Sequence, residues 1–174
     1  MTGDTARPWL WGPYSGLALA VAGLAAVIDQ GHKWWMILGF HIADKGRVAI
    51  LPFLDLVYTL NRGISYSLFE MNGQIGQLLL AGFALAASVA LWVWIARGAT
   101  GTLMAVSLAL IMGGAIGNGL DRVTLGGVAD FFLAHAYGYT WYVFNLADAA
   151  IVAGVAGLLY ESFVVSRKDA TKAL

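Results

Sequence analysis

Three stretches of the chain carry no charged residue: 8–28, 71–96 and 98–120. Each reaches the roughly 20 apolar residues that carry a helix across a bilayer. A fourth run, 140–165, is apolar except for Asp148 and Glu161. The pattern predicts four transmembrane helices, at about 8–28, 73–96, 99–120 and 140–165. Arg97-Gly98 leaves room only for a tight link, so the second and third spans form an antiparallel hairpin. Arg7 ahead of an apolar run resembles a secretory signal. That run ends in Asp29-Gln30-Gly31-His32-Lys33 rather than in a small-residue cleavage site, so it reads as an uncleaved first helix.

The segments between spans have other patterns. Within 32–70, Leu54, Leu56, Tyr58 and Leu60 alternate with Asp55, Val57 and Thr59. That period of two, preceded by Val48-Ala49-Ile50-Leu51, predicts short strands. A small sheet on the membrane surface is expected, with an edge that needs cover. Residues 121–139 read as a loop. Residues 166–174 read as a polar tail. The fold class is an α-helical integral membrane protein: one domain, four transmembrane helices and a small extracytoplasmic β-sheet between helices 1 and 2.

Composition agrees with a membrane class. The chain is 60% hydrophobic and 11% charged, whereas a soluble domain is about a quarter charged. Net charge is zero and the Lys and Arg are scattered, so nothing argues for nucleic acid. The absence of Cys excludes disulfides, thiolate metal sites and Cys nucleophiles. His32, His41 and His135 lack metal-ligand spacing, so no metal and no cofactor are expected. No Ser sits in a G-x-S-x-G turn, and no His falls within a predicted span to serve a Ser–His dyad. Charge counting does not orient the chain, because Lys33, Lys45, Arg47, Arg62 and Arg122 balance Arg7, Arg97, Arg167, Lys168 and Lys172. The short Arg97 turn and the basic tail favour both termini inside.

Four spans bring the unusual polar residues to one rim. Asp29 and Lys33 follow span 1, 61–70 precede span 2, Asp121, Arg122 and Asp130 follow span 3, and Asp148 opens span 4. Carboxylates in apolar sequence are costly and need a partner or a task. Asn118 and Asp121, like Asn145 and Asp148, are spaced to share a helix face. A buried network that fixes helix packing would explain one such pair; two on one rim, with Asp130 between them, favour catalysis or transport. Asp121 has Arg122 beside it and is expected to stay ionised and paired. Asp130 and Asp148 have no neighbouring cation. Brought together by folding, they would share a proton, one acting as acid and one as base, and activate water for attack on a peptide carbonyl. A transporter or proton-relay bundle using the same carboxylates is the alternative, and a non-catalytic scaffold is a third reading. Gly113-Gly114-x-x-Gly117 reads as a helix-packing seam rather than a phosphate loop.

These residues resemble a known family, the bacterial lipoprotein signal peptidases (signal peptidase II). The resemblance rests on Asp29-Gln30-x-x-Lys33, Asn61-x-Gly63-x-Ser65-Tyr66-Ser67, Gly114-Ala115-x-Gly117-Asn118-x-x-Asp121-Arg122, Val128-x-Asp130-Phe131 and Phe144-Asn145-x-Ala147-Asp148. It implies an inner-membrane aspartyl endopeptidase with its site on the periplasmic side. Such an enzyme cleaves the signal peptide from a prolipoprotein just before a diacylglyceryl-modified Cys. It implies Asp130 and Asp148 as the catalytic pair. Asn61, Asn118, Arg122 and Asn145 would line the substrate pocket, where the antibiotic globomycin also binds. Asp29, Lys33, Gly63 and Asp121 would support the site. The segment 33–70 would be a periplasmic β-cradle, and 133–139 would form a short extracytoplasmic helix, for which Gly138 makes the local signal weak. Membrane lipid is an implied partner, and a monomer is expected. His32, Ser65 and Tyr66 depart from the family's usual residues, which bears on substrate preference more than on activity.

Overall fold

The computed structural model describes residues 9–63 and 73–172, with side chains as far as 163. Ser65, Tyr66 and Ser67, and with them part of the expected cradle, lie outside the described residues, as does Arg7. Four long helices form the body: α1 (Ser15–Trp34), α3 (Gln74–Gly98), α4 (Thr102–Thr124) and α5 (Leu146–Lys172). Between α1 and α3 come a π-helical turn (Trp35–Gly39), the short α2 (Ile42–Lys45), β1 (Val48–Leu51) and β2 (Leu54–Asn61). Between α4 and α5 come β3 (Val128–Ala136) and β4 (Tyr139–Phe144). Among the described residues, α3, α4 and α5 are long and apolar enough to cross a membrane.

α4 is the central pillar. Half of its most apolar stretch is buried, against 11% for α3 and for α5. Small residues explain how its neighbours come so close. A Cβ on Gly113 would lie 2.6 Å from the Ala22 carbonyl oxygen of α1, and one on Gly114 would collide with the Ala147 carbonyl of α5. Gly154 of α5 meets the Ser107 carbonyl of α4 in the same way. The glycine run is thus a packing seam with two sides. Ala18, Ala22, Ile95, Leu108, Ala109 and Met112 form the core of the bundle.

The four strands form one antiparallel sheet in the order β1-β2-β3-β4. Its own apolar cluster is Met36, Ile42, Ala129 and Phe131. β2 places Thr59 opposite Asp130 and Asn61 opposite Val128, with a register slip between Leu56 and Thr59. The irregularity lies next to Asp130, where a bulge can re-aim a side chain.

Three expectations need correction. The first helix does not stop at residue 28; it continues through Asp29 and Lys33 to Trp34. Those two side chains pair with each other at i,i+4 and find further partners on other elements, so they can remain helical and buried. His32 therefore also lies on a helix. The segment 133–139 is not a short helix. It is the end of β3 and a tight hairpin, with Tyr137 and Gly138 at φ 50° and 81°, the paired positive angles that a two-residue hairpin turn requires. The fourth helix starts at Leu146 rather than 140, because 139–144 extend the sheet. β3 supplies the cover that β2 needed.

Candidate active site

Asp130 reaches the site from β3, and Asp148 from the first turn of α5. Asn145 is the residue before that helix, and its Oδ1 accepts the Asp148 N–H at 2.9 Å. The Asp148 Oδ2 accepts the Asn145 N–H at 3.3 Å. This reciprocal pair is a capping box, so Asp148 is fixed by the same contacts that start its helix. The Asn145 side chain is fully buried. Its Nδ2 donates to Asp130 Oδ1 at 2.6 Å and to Asn118 Oδ1 at 3.1 Å. Asn118 donates to Asp148 Oδ1 at 2.8 Å. Two amides thus link the carboxylates. Of the two expected Asn–Asp pairs within one helix turn, Asn145 and Asp148 bond each other, whereas Asn118 turns to Asp148 and meets Asp121 only through their shared partner Lys33.

Asn61 approaches Asp130 from β2, its Nδ2 at 3.4 Å from Oδ2, while its own Oδ1 accepts the Gly63 N–H at 3.1 Å. Asp130 is 2% exposed. Burial, and then the charge of Asp148, push its carboxyl up to about 7 from an ordinary 3.8. The hydrogen bonds from Asn145 and Asn61 and the charge of Lys33 oppose that rise.

Asp29, Lys33 and Asp121 lie directly behind. Lys33 Nζ is 2.8 Å from Asp29 Oδ2, 2.7 Å from Asp121 Oδ2 and 3.1 Å from Asn118 Oδ1. Gln30 adds a bond to Asp121 Oδ1 at 2.8 Å and one to the Gly117 carbonyl at 3.1 Å. Asp121 was expected to pair with Arg122, and it does not. The next residue on a helix points about 100° away. Arg122 instead donates to the Asn118 carbonyl at 3.0 Å and to the Gly63 carbonyl at 3.3 Å. The two carboxylates of the cluster also hold backbone. Asp121 Oδ2 accepts the Ala129 N–H at 3.0 Å and Asp29 Oδ1 accepts the Ala147 N–H at 2.9 Å. Each supporting carboxylate therefore grips the peptide just ahead of one member of the Asp130–Asp148 pair.

One cavity of about 270 Å³ takes in Asn61, Gly63, Asn118, Arg122, Asp130 and Asp148. Its other wall is apolar: Leu80, Phe83, Ala84 and Ala87 of α3, Ala115 of α4 and Ile151 of α5. A second cavity, about 230 Å³, lies against the sheet and includes Thr59, Asn61, Asp130, Thr140, Trp141 and Tyr142. Tyr142 was not singled out in the sequence. Its hydroxyl is 3.4 Å from Asp148 Oδ2. Only the period-two reading of 139–144, hidden by assigning that stretch to a helix, could have pointed to it. Among the described residues no three His, Cys, Asp or Glu side chains gather as metal ligands.

The arrangement offers one raised carboxyl, one carboxylate held by amides, and an apolar trough beside them. The sequence profile of signal peptidase (SPase) II matches residues 21–164. A lipoprotein signal peptidase of Rhodopseudomonas palustris is 52% identical over 149 residues, covering 83% of this chain and 90% of its own. One from a Methylobacterium species is 49% identical over 84% of this chain and 88% of its own. Another, from Nitrobacter hamburgensis, is 47% identical over 91% of this chain and 96% of its own. Two solved bacterial membrane enzymes share the fold. One has TM-score 0.75 at 24% identity, covering 87% of this chain and 90% of its own. The other has TM-score 0.71 at 26% identity, covering 84% of this chain and 92% of its own.

Proposed function

The chain belongs to the signal peptidase II family, aspartic-type proteases, and on that premise we propose that Asp130 and Asp148 are its catalytic dyad. The enzyme removes signal peptides from prolipoproteins, as its relatives' name states. Family membership decides for the peptidase against the transporter and scaffold readings. The observation that carries the site is the joint exposure of Asp130 and Asp148 to one cavity, with amides on both and no ion pair to either among the described residues.

Asp130, with its raised affinity for a proton, serves as the acid. Asp148, surrounded by donors at a helix N-terminus, serves as the base. A water held between them gives a proton to Asp148 as its oxygen bonds to the scissile carbonyl carbon. Asp130 gives its proton to the carbonyl oxygen. The neutral gem-diol then collapses: as the C–N bond breaks, the leaving nitrogen takes the proton from Asp148 and one hydroxyl returns its proton to Asp130, which leaves the carboxylic acid, the amine and the starting dyad. No metal enters any step. The apolar wall of α3, α4 and α5 receives the apolar flank of the cleavage site, where a diacylglyceryl-Cys would lie. Asn61, Asn118, Arg122 and Asn145 hold substrate and carboxylates, and Gly63, Asp29, Lys33 and Asp121 support them. Globomycin is expected to occupy the same cavity.

The four-span reading also stands as a proposal. α1 would be the fourth span, its polar last turns lying at the rim. The exposed apolar residues of α3 (Ile75, Leu79, Phe83) and α5 (Val152, Leu159, Phe163) would face lipid. Both termini would lie on the cytoplasmic side of the inner membrane, with the sheet and dyad periplasmic. Trp9 lies under Arg97, and Trp11 lies edge-on to Trp92 at 5.9 Å. Such aromatic–cation groupings suit the opposite interface.

The test is cleavage of a diacylglyceryl-modified prolipoprotein by purified enzyme. Asp130→Asn and Asp148→Asn should each fold and lose activity by several orders of magnitude. A chelator should leave the wild type unaffected. Turnover by either variant at the wild-type rate would remove the dyad assignment.

A further inference from the structure

The structure places a third functional group at the dyad. We propose that the Tyr142 hydroxyl is a positioning group for the reaction, orienting the Asp148 carboxylate at the boundary between the two cavities. The inference rests on the assignment of Asp130 and Asp148 as the dyad.

Three observations carry it. Tyr142 Oη lies 3.4 Å from Asp148 Oδ2, the oxygen that also receives the Asn145 N–H at 3.3 Å. Both contacts are long for hydrogen bonds, so that oxygen is shared between two donors rather than saturated by one. The other oxygen has a firm bond to Asn118 at 2.8 Å. Oδ1 is therefore anchored, and Oδ2 is the oxygen left to take a proton from water. The ring of Tyr142 is itself held, stacked on Phe144 with centroids 5.9 Å apart and planes 9° apart. Finally, three residues line both cavities: Asn61, Asp130 and Tyr142. The second cavity lies against the sheet and the first runs along the helices, so the hydroxyl stands at the junction of the two.

A phenol suits this place because it both donates and accepts. While Asp148 is ionised, Tyr142 donates to Oδ2. Once Oδ2 has taken the water's proton, the phenol oxygen can accept from it instead. Tyr142 neither gains nor loses a proton over the cycle, so it is a positioning residue and not an acid or base.

The test is Tyr142→Phe in the full chain, assayed against a diacylglyceryl-modified prolipoprotein from pH 4 to 9. The ring and its stacking on Phe144 survive; only the hydroxyl is lost. The expected fall in kcat is about tenfold, with KM changed less than about twofold. The acidic limb of kcat/KM should move to higher pH, because the ionised base has lost a donor. An unchanged limb with unchanged kcat, or a loss confined to KM, overturns the proposal. If the Phe variant does not fold, 3-fluorotyrosine at position 142 keeps the shape and alters the phenol's acidity, and an unmoved limb then overturns it. Asp148→Asn is run beside these variants. If it cleaves at the wild-type rate, the dyad assignment fails and this inference with it. If it is inactive while Tyr142→Phe matches the wild type, only the role of Tyr142 falls.

Discussion

Four carboxylates, three of them buried and Asp148 half-buried, meet at the periplasm-facing end proposed for this bundle, and the fold treats them in two ways. Asp29 and Asp121 share one ammonium, Lys33, at 2.8 and 2.7 Å. Asp130 and Asp148 are bound through the amides of Asn145 and Asn118 and form no ion pair among the described residues. The ammonium-bridged pair ties α1 to α4 and, through its backbone bonds, to β3 and α5. The amide-bridged pair faces the cavity, as the proposed acid–base chemistry requires. The difference separates the supporting pair from the proposed dyad more sharply than burial does, because Asp29, Asp121 and Asp130 are all at most 2% exposed.

The contrast can be broken most forcefully at Lys33. Lys33→Met would leave two carboxylates facing each other without their cation, a loss of about 3–5 kcal/mol. The variant should melt far below the wild type in detergent and cleave nothing; an unchanged melting curve would show that the cluster is not the scaffold. Gly117→Ala is gentler. A Cβ there would lie 2.5 Å from Asp29 Oδ2, forcing the carboxylate aside for about 1–3 kcal/mol. The same measurement should give an intermediate melting point, with partial activity.

Asp130→Asn sharpens the other side. The folded carboxyl titrates near 7 against an ordinary 3.8, so between these values the native state binds more protons than the unfolded chain. Wild-type stability therefore falls as pH rises through that window. The Asn variant escapes this fall. It should gain on the wild type between pH 5 and pH 8 by on the order of 1–3 kcal/mol, although it is inactive. A stability difference that does not change between pH 5 and pH 8 would contradict the raised carboxyl. The smallest effect is expected at Asp55 of β2, which pairs with Arg47 and, at 3.1 Å, with His135. Burial pushes its carboxyl up, but these partners outweigh that and hold it below the usual range. Asp55→Asn should lower the melting point slightly at pH 7, and the difference should vanish as pH falls through the folded value.

Much of this frame is legible in the chain. Charge-free runs mark α3 and α4 to within a few residues, since nothing there competes with a lipid-facing helix. The alternation in 54–60 marks β2, whose two faces meet different surroundings. β3 and β4 are not legible in the same way. The first four residues of β3, Val128 to Phe131, are all buried, so no alternation survives, and their partner strand lies almost 70 positions earlier. The expectation that Asp121 would pair with Arg122 failed for a similar reason, because its true partner Lys33 is adjacent only after α1 packs on α4. That polar residues would gather at one end follows from four antiparallel helices. Which oxygen faces which donor is a matter of tertiary packing.

The backbone grips of Asp29 and Asp121 have a mechanical consequence. The peptides ahead of Asp148 and Asp130 are both referenced to one point, Lys33, in addition to the amide links between the two carboxyls. A tilt or slide of α1 would then be a common-mode displacement, carrying both carboxyls along together. Their separation, the quantity on which proton sharing depends, is the differential coordinate, and it is insulated from that motion. The protein can yield to its membrane without detuning its chemistry.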